Sequence, residues 1–349
     1  MVTVHKHLLK SVVFILLTGC ASSPTGQHSE TVANGQPQIT PIKPDEPISV
    51  QPYPNSNTTN LGVQHYYGER VTGTYGQSIA VQGFIQQMVQ KHGFSEAYLN
   101  GLFSTAHRLD AVIKLESPEP SAGPQKPHLG SWARYRSKFL TEAHINNGVQ
   151  FWRNNAAAVT RASNTYGVDP EYIIAIIGVE TYFGKNFGKT SIFDALTTLS
   201  FDTYRRSKFF MSELENFLLM TREEGFDPRQ PVGSWAGAMG YGQFMPSSFR
   251  RLAVDFDNNG RRDIWDPEDA IGSVAHYFSR SGWQLHSPVT YPARPANDDN
   301  VIELSSYQGS EYWRVHPNFK VIKKYNNSNK YAMAVHQLAQ AIKQRFKGG

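Results

Sequence analysis

One glutamate, Glu180, has the sequence surroundings of a general acid. It follows a run of apolar residues and is followed almost directly by two aromatic residues and Gly184. Ionised glutamate is rarely buried without a partner, and both burial and the negative end of a helix raise a carboxyl pKa. A carboxyl group that keeps its proton near neutral pH is what glycosidic cleavage requires. The alternative is a core ion pair between Glu180 and an arginine, and spacing alone does not separate the two.

The helix that carries Glu180 has a clear predicted start. Asp169 is expected to cap it, Pro170 to take its first position, and Glu171 to lie in its first turn. The residues that follow are almost all aliphatic, so the helix is expected to be buried in a larger domain. Gly184 is the predicted stop signal.

A second dense stretch, residues 233–248, is rich in glycine and aromatic residues. Its glycines let a ligand approach the backbone closely. Tyr241, Gln243 and Phe244 add a stacking face and a hydrogen-bonding amide, a mixture that suits sugar rings with N-acetyl groups. The alternative is a glycine-rich loop that only packs between helices.

Residues 255–263, DFDNNGRRD, predict a calcium loop. Oxygen-bearing side chains stand at alternate positions, Asp255, Asp257 and Asn259, with glycine sixth, as an EF-hand loop requires. Arg261 would contribute its backbone carbonyl. The twelfth position, usually glutamate, is Asp266. Because Asp266 is followed by Pro267 it also resembles a helix cap, and Asp269 would then close a longer loop.

Composition narrows the class of protein. The chain has 349 residues with a net charge of +5 and a pI near 9.1, which favours an acidic partner such as a cell-envelope polymer, an anionic lipid or a nucleic acid. Lysine and arginine are scattered rather than clustered, so no nucleic-acid surface is expected. Phosphate-binding, HExxH and GxSxG motifs are absent from the sequence.

The N-terminal part predicts export and a lipid anchor. A basic start and a short apolar run at residues 12–17 precede LTGC, which ends in Cys20, the one cysteine. This resembles a lipoprotein signal: residues 1–19 would be removed, Cys20 would carry lipid, and Ala21 after it resembles proteins sent to the outer membrane. Residues 20–75 are poor in apolar side chains and predict a disordered tether.

The rest of the chain predicts a mainly α protein. Helical periodicity dominates from about residue 76, and the last helix starts near Ser328. Between about residues 287 and 321 the pattern changes, and Val301 to Leu304 and Tyr312 to Val315 predict short strands of a small sheet.

Seven motifs together resemble the membrane-bound lytic murein transglycosylase B family. They are GVETYFGKNFGKT, DALTTLSFD, FLLMTRE, AGAMGYGQFMPSSF, DFDNNG, WDPEDAIGSVAHYF and YNNSNKYAMAV. The resemblance implies a lysozyme-like core at about residues 166–285 that includes the loop 255–269. It also implies an additional α domain at about 76–165 with the C-terminal helix, and a small β-containing part at about 286–322. The implied activity is cleavage of the MurNAc–GlcNAc bond of peptidoglycan.

The same resemblance implies roles for individual residues. Glu180 falls on the single catalytic acid. The implied groove residues are Ser234, Gln243, Phe244, Tyr277, Tyr325, Asn326 and Tyr331. The implied calcium ligands are Asp255, Asp257, Asn259, Arg261 and Asp269. The ion would be structural, and the chemistry would need no cofactor.

The hypothesis for the mechanism uses one carboxyl group twice. Neutral Glu180 protonates the glycosidic oxygen, the MurNAc N-acetyl group assists, and ionised Glu180 then accepts the proton of the C6 hydroxyl that attacks C1. A 1,6-anhydro sugar results, without water. Two alternatives stay open: a hydrolase that uses Asp194 or Glu213 as a second acid, and a wall-binding lipoprotein without activity. The expected partners are glycan strands and a membrane, with a monomer that can join cell-wall enzyme complexes.

Overall fold

The structure, a computed structural model, describes residues 66–116 and 129–348, which are mostly helical. The helices are α1 (Ile79–His92), α2 (Glu96–Ser104), α3 (Asp110–Glu116), α4 (Ser131–Arg136), α5 (Glu142–Asn154), α6 (Ala156–Tyr166), α7 (Pro170–Thr181), α8 (Ile192–Phe201), α9 (Ser207–Glu224), α10 (Pro246–Leu252), α11 (Pro267–Arg280), α12 (Pro317–Tyr325) and α13 (Asn329–Gly348). This confirms the mainly α prediction. Cys20 and the predicted signal peptide lie outside the described residues.

The strands form two small antiparallel sheets. β1 (Thr190–Ser191) pairs with β2 (Val232–Gly233), and β3 (Thr290–Pro292), β4 (Val301–Ser306) and β5 (Gly309–Val315) form a sheet in the order β3-β5-β4. β4 and β5 are a hairpin in which Val301 faces Arg314 and Ser306 faces Gly309. The two segments predicted as strands lie in β4 and β5.

The folded part begins earlier than the predicted tether boundary at residue 75. Val71 and Tyr75 are buried, and a 3-10 turn covers Gly73–Tyr75. The hydroxyl groups of Tyr66 and Tyr75 donate hydrogen bonds to Asp227 and to Asp202, far along the chain. The prediction placed this boundary too late because a few anchoring tyrosines among polar residues do not alter a composition average.

Asp169 precedes α7 as predicted, but its carboxylate does not cap the helix. It accepts hydrogen bonds from the indole Nε1 of Trp283 at 2.9 Å and from the backbone N–H of His286 at 3.1 Å. The prediction of a capping side chain was therefore wrong, because a distant indole and a distant loop compete for the same oxygens. Asp169 instead ties the start of α7 to the segment after α11.

Helix α7 is the centre of the core, and α13 packs along it in the antiparallel direction. Residues 171–178 of α7 are buried. Tyr331, near the start of α13, meets Glu180 near the end of α7, whereas Lys343, late in α13, meets Glu171 in the first turn of α7. The packing of α13 on α7 therefore fixes what faces Glu180. Among residues 66–116 and 129–348, no helix has the length and apolar character that crossing a bilayer demands.

Candidate active site and calcium loop

Glu180 is the second-last residue of α7, and an unusual backbone turn follows it. Tyr182, Phe183 and Gly184 all lie in the left-handed region, with φ of 53°, 59° and 81°. Two consecutive non-glycine residues in this region are strained and persist only where the surroundings hold them. Phe183 is buried, and its ring lies so close to Gly178 that a Cβ there would be 2.5 Å from the ring. The packing of Phe183 thus holds the turn that ends the Glu180 helix.

Thr181 joins this turn to the glycine-rich loop. Its hydroxyl accepts a hydrogen bond from the backbone N–H of Gly184 at 3.1 Å and donates to the carbonyl of Tyr241 at 3.0 Å. Tyr241 in turn packs over Gly184, where an added Cβ would lie 2.2 Å from its ring. The two segments that the sequence singled out, the end of α7 and residues 233–248, therefore meet beside Glu180.

The carboxyl group of Glu180 has the electrostatics of a general acid. The residue is half-buried, and the hydroxyl of Tyr331 donates a hydrogen bond of 2.5 Å to its Oε1. Burial raises the pKa of Glu180 to about 7, and the Tyr331 hydrogen bond partly opposes that rise. Within the described ranges, Glu180 forms no ion pair with lysine, arginine or histidine. The structure does not support the core ion pair.

Predicted groove residues surround this carboxyl. Tyr331 is 2% exposed. Burial is the main cause of the raised pKa of both Tyr331 and Tyr325, and the nearby charge of Glu180 is the second cause. The Tyr325 ring centroid lies 4.6 Å from that of Tyr277 and 6.1 Å from that of Phe244. The hydroxyl of Tyr325 donates to the carbonyl of the loop residue Gly242 at 2.5 Å. Three aromatic rings and the glycine-rich loop therefore form one wall.

The polar residues of the loop support its own backbone. Ser234 Oγ accepts hydrogen bonds from the N–H groups of Ala236 and Ala238. Gln243, at φ 51°, donates from Nε2 to the carbonyl of Gly240 at 3.0 Å. Asn326 follows α12 directly after Tyr325 and makes no side-chain hydrogen bond within the described part of the chain. The structure thus places Asn326 beside the aromatic wall, without a hydrogen bond to Glu180.

Sequence reasoning missed two residues of the site, Thr181 and Tyr135. Tyr135 lies on α4 and packs against Trp132 and Phe139. Burial raises its pKa to about 12, and the nearby charge of Glu180 contributes. The short helix α4 has no motif, so no local signal could have brought Tyr135 to Glu180.

The two carboxyl groups considered as a second acid are already engaged. Asp194 is buried, forms an ion pair with Arg229, and accepts a hydrogen bond from the backbone N–H of His107 at 2.9 Å. Glu213 is buried and accepts hydrogen bonds from the hydroxyl and the N–H of Ser247, at 2.6 and 2.9 Å. Neither is free to activate water.

The predicted calcium loop brings three carboxylates together. Oxygen atoms of Asp255, Asp257 and Asp269 all lie within 4.8 Å of one another. Asp266 instead caps α11 through the backbone N–H of Glu268, at 2.7 Å. Hard oxygen ligands in this number suit Ca²⁺, so the residues fit the expected ion. The geometry favours Asp269 over Asp266 as the closing residue.

The middle of the loop is shaped by its own hydrogen bonds. Gly260 has φ of 89°, and its N–H donates to Asp255 at 2.8 Å. The side-chain oxygen of Asn259 accepts from the N–H of Arg261 at 3.0 Å, and the Arg261 guanidinium stacks on Phe226 at 3.9 Å. The Arg261 side chain therefore points to an aromatic ring, which leaves only its carbonyl as a candidate ligand.

Fold and site together define a helical, lysozyme-like protein with a half-buried glutamate, Glu180, beside an aromatic wall. Residues 76–301 and 293–340 match the Transglycosylase SLT domain family, and the chain belongs to that family. It is 40% identical to membrane-bound lytic murein transglycosylase B of Escherichia coli K12 over an alignment of 364 residues, which covers 95% of each chain.

Solved structures agree with this assignment. The lytic transglycosylase SLT35 of E. coli, in complexes with bulgecin A and with calcium, superimposes with a TM-score of 0.74 and 42% identity, covering 79% of this chain and 96% of that one. SltB3 of Pseudomonas aeruginosa in complex with NAG-anhNAM-pentapeptide has a TM-score of 0.65 and 28% identity, covering 77% of this chain and 79% of that one. The likeness therefore extends over most of the part that the structure describes.

Proposed function

We propose that this protein is a lytic transglycosylase that cleaves the β-1,4 bond between MurNAc and GlcNAc in peptidoglycan and leaves 1,6-anhydroMurNAc ends. The observation that carries the proposal is the state of Glu180. It is half-buried, its pKa is raised to about 7, and the described residues offer it one hydrogen-bond partner, Tyr331. Membership of the SLT family and the related murein enzymes support the same activity.

The reaction needs one carboxyl group in two roles. Neutral Glu180 donates its proton to the glycosidic oxygen, and the N-acetyl carbonyl of MurNAc stabilises the positive charge at C1. Tyr331 stabilises the carboxylate that remains, because its hydroxyl already donates to Oε1. Glu180 then accepts the proton of the C6 hydroxyl as that oxygen attacks C1. Asp194 and Glu213, the two candidates for a second acid, are both held by other residues, which supports this route over two-carboxylate hydrolysis.

The glycan strand would lie along the aromatic wall and the glycine-rich loop. The residues proposed to line it are Ser234, Tyr241, Gln243, Phe244, Tyr277, Tyr325, Asn326 and Tyr331. The ring cluster and the close approach of Tyr241 to the end of α7 support this path. Its aromatic faces suit pyranose rings, and the open backbone of the loop suits their N-acetyl groups.

The calcium ion would stabilise the fold, and the lipid would anchor the protein to a membrane. We assign a structural Ca²⁺ to Asp255, Asp257, Asn259, the carbonyl of Arg261, and Asp269, supported by the three clustered carboxylates and by the calcium complex of SLT35. Lipid on Cys20 would anchor the enzyme to the outer membrane, facing the periplasm. The LTGC sequence and the membrane-bound relative support this anchor.

The products of digestion test the activity. Purified sacculi treated with the enzyme should lose turbidity, and mass spectrometry should find anhydro ends, which are lighter than reducing ends by one water. Glu180→Gln should abolish cleavage and keep glycan binding. Glu213→Gln is the matched control and should leave cleavage in place. Burial also raises the pKa of Glu213, but its carboxyl group is engaged by a hydrogen bond from Ser247. Reducing ends would favour the hydrolase, and unchanged turbidity would favour the inactive binding protein.

A further inference from the structure

A polar cleft of about 370 Å³ lies at the opposite end of α7 from Glu180. Its walls are the first turn of α7, residues 286–291, and the middle of α13. Glu171 in this cleft and Glu180 are nine residues apart on one α-helix, which corresponds to a rise of about 13 Å. Ligand sites typically have volumes of about 300–1,000 Å³. The cleft is thus a concavity of ligand size that the proposed reaction does not use.

A hydrogen-bond relay fixes the polar atoms that the cleft presents. Gln340 donates from Nε2 to the hydroxyl of Tyr172 at 3.1 Å, so the hydroxyl proton goes to Nδ1 of His336, 2.8 Å away. Burial lowers the pKa of His336 to about 4, so the ring is neutral at pH 7 and carries its proton on Nε2. Within the described ranges, His336 Nε2 and Gln340 Oε1 have no hydrogen-bond partner. The cleft therefore offers one oriented donor and one acceptor.

The charges of the cleft are largely compensated. Glu171 is 2% exposed and accepts a hydrogen bond of 2.5 Å from the ammonium group of Lys343. The carboxylate of Asp169 is held by Trp283 and by the backbone of His286. The imidazole Nδ1 of His286 also lies 2.8 Å from Asp169 Oδ1. Lys343 and His286 are therefore already engaged by the two carboxylates, which leaves little to attract an anion. The engaged carboxylates leave little for a cation. A neutral ligand rich in hydroxyl and amide groups fits best.

An aromatic platform stands at the edge of the cleft. Tyr291 is 56% exposed although it belongs to β3, where it is paired with Arg314 of β5. Its ring is edge-on to His316, with centroids 5.3 Å apart, so one partner steadies the ring and its surface stays open. The apolar face of a pyranose packs on such a ring, while its hydroxyl and N-acetyl groups bond to fixed donors and acceptors.

We propose that this cleft is a second carbohydrate site, which binds a GlcNAc-containing stretch of glycan strand away from Glu180. The inference rests on the proposed function, since a glycan polymer is the substrate there. Holding a strand at two places on one molecule raises the effective concentration of glycan at the reacting groove. The second site therefore favours polymeric wall over short fragments.

Titration of the Glu180→Gln protein with the β-1,4-linked GlcNAc tetramer tests the proposal. This probe is neutral and carries no stem peptide. Two binding events are expected by NMR, one of which shifts the resonances of residues 286–291 and His336. Tyr291→Ala and Gln340→Ala should each weaken that event about tenfold. In the active enzyme they should lower turnover of sacculi more than turnover of short glycan fragments. Tyr67→Ala, which removes a tyrosine that is 78% exposed elsewhere, is the control and should leave both affinities at the parent values.

Three results would overturn the second site. They are a single binding event, an equal loss of both events in Tyr291→Ala, and perturbation of the cleft by an isolated stem peptide instead of the sugar. Because the titration uses a protein that does not cleave, its outcome is independent of the reaction. Failure of the proposed function would be seen separately, as the absence of anhydro ends from digests by the unaltered enzyme.

Discussion

Removing the hydroxyl of Tyr331 tests most directly how the pKa of Glu180 is set. This hydroxyl donates to Glu180 Oε1 at 2.5 Å and opposes the rise that burial causes in the pKa of Glu180. A hydrogen bond to a charged group contributes about 1.5–3 kcal/mol, against about 0.5–1.5 kcal/mol for a neutral one. The midpoints of these ranges differ by about 1.3 kcal/mol, which corresponds to about one pKa unit. Tyr331→Phe should therefore raise the pKa of Glu180 further, by about one unit.

The assay is the pH profile of kcat/KM, which reports the pKa values of the free enzyme. Because Glu180 must be protonated to act as the acid, activity falls as pH rises through its pKa, near pH 7 in the parent. In Tyr331→Phe this alkaline limb should move upward to about pH 8, whatever happens to KM. Tyr135 does not interfere, since its pKa is about 12.

Tyr325→Phe is the matched control. Its hydroxyl donates to the carbonyl of Gly242 rather than to Glu180, so the limb should stay within a few tenths of a unit while the rate falls. A limb that stays in place or moves downward in Tyr331→Phe would refute the role given to the hydrogen bond. An equal shift in both variants would mean that the shift reflects a general change of the groove.

Three further predictions concern stability and the turn after Glu180. Calcium at about 100 times its Kd should raise the free energy of unfolding by about 2.7 kcal/mol. Asp269→Asn should abolish this calcium dependence, whereas Asp266→Asn should keep it and keep the helix cap, because an asparagine oxygen can still accept from the N–H of Glu268. Calorimetry with and without chelator measures both. Gly184→Ala should lower kcat more than tenfold, because the added Cβ would lie 2.2 Å from the ring of Tyr241. Gly225→Ala is the control, since Gly225 has a similar positive φ but open space around it. It should lower only Tm, through a backbone strain of about 1–3 kcal/mol. Glu180→Gln should be more stable than the parent by about 3 kcal/mol at pH 8 and by little at pH 4. The folded-state pKa of Glu180, about 7, exceeds the ordinary 4.5, so ionising this carboxyl group destabilises the folded parent as pH rises between these values. Equal stability differences at both pH values in denaturant titrations would contradict this prediction.

The fold was predictable where its signals are local. The Pro170 start of α7, the glycine after α1, and the alternation in β4 act over a few residues, so the sequence carries them directly. The start of the folded part was placed too late, since Tyr66 and Tyr75 gain their stability from partners far along the chain. The side chain of Asp169 was misassigned for the same reason, because Trp283 is a partner that no local rule can supply.

The site divides in the same way. The sequence alone singled out Glu180 as a candidate acid, because it follows an apolar run, and predicted a calcium loop whose candidate ligands lie close along the chain. Tyr331 is predicted as a groove residue only by the family resemblance, and no sequence pattern predicts Tyr135. Both reach Glu180 only through the packing of distant helices.

What the sequence determined by itself is therefore a set of candidate groups: one acid near the end of an apolar helix, a loop of oxygen-bearing side chains, and a glycine-rich segment. Only the tertiary structure decided how that acid is tuned, since the antiparallel packing of α13 on α7 brings Tyr331 to Glu180. It also placed Asp269 rather than Asp266 among the carboxylates. The physical reason is that residue type and short spacing fix local conformation, whereas a pKa depends on burial and on partners that distant parts of the chain provide.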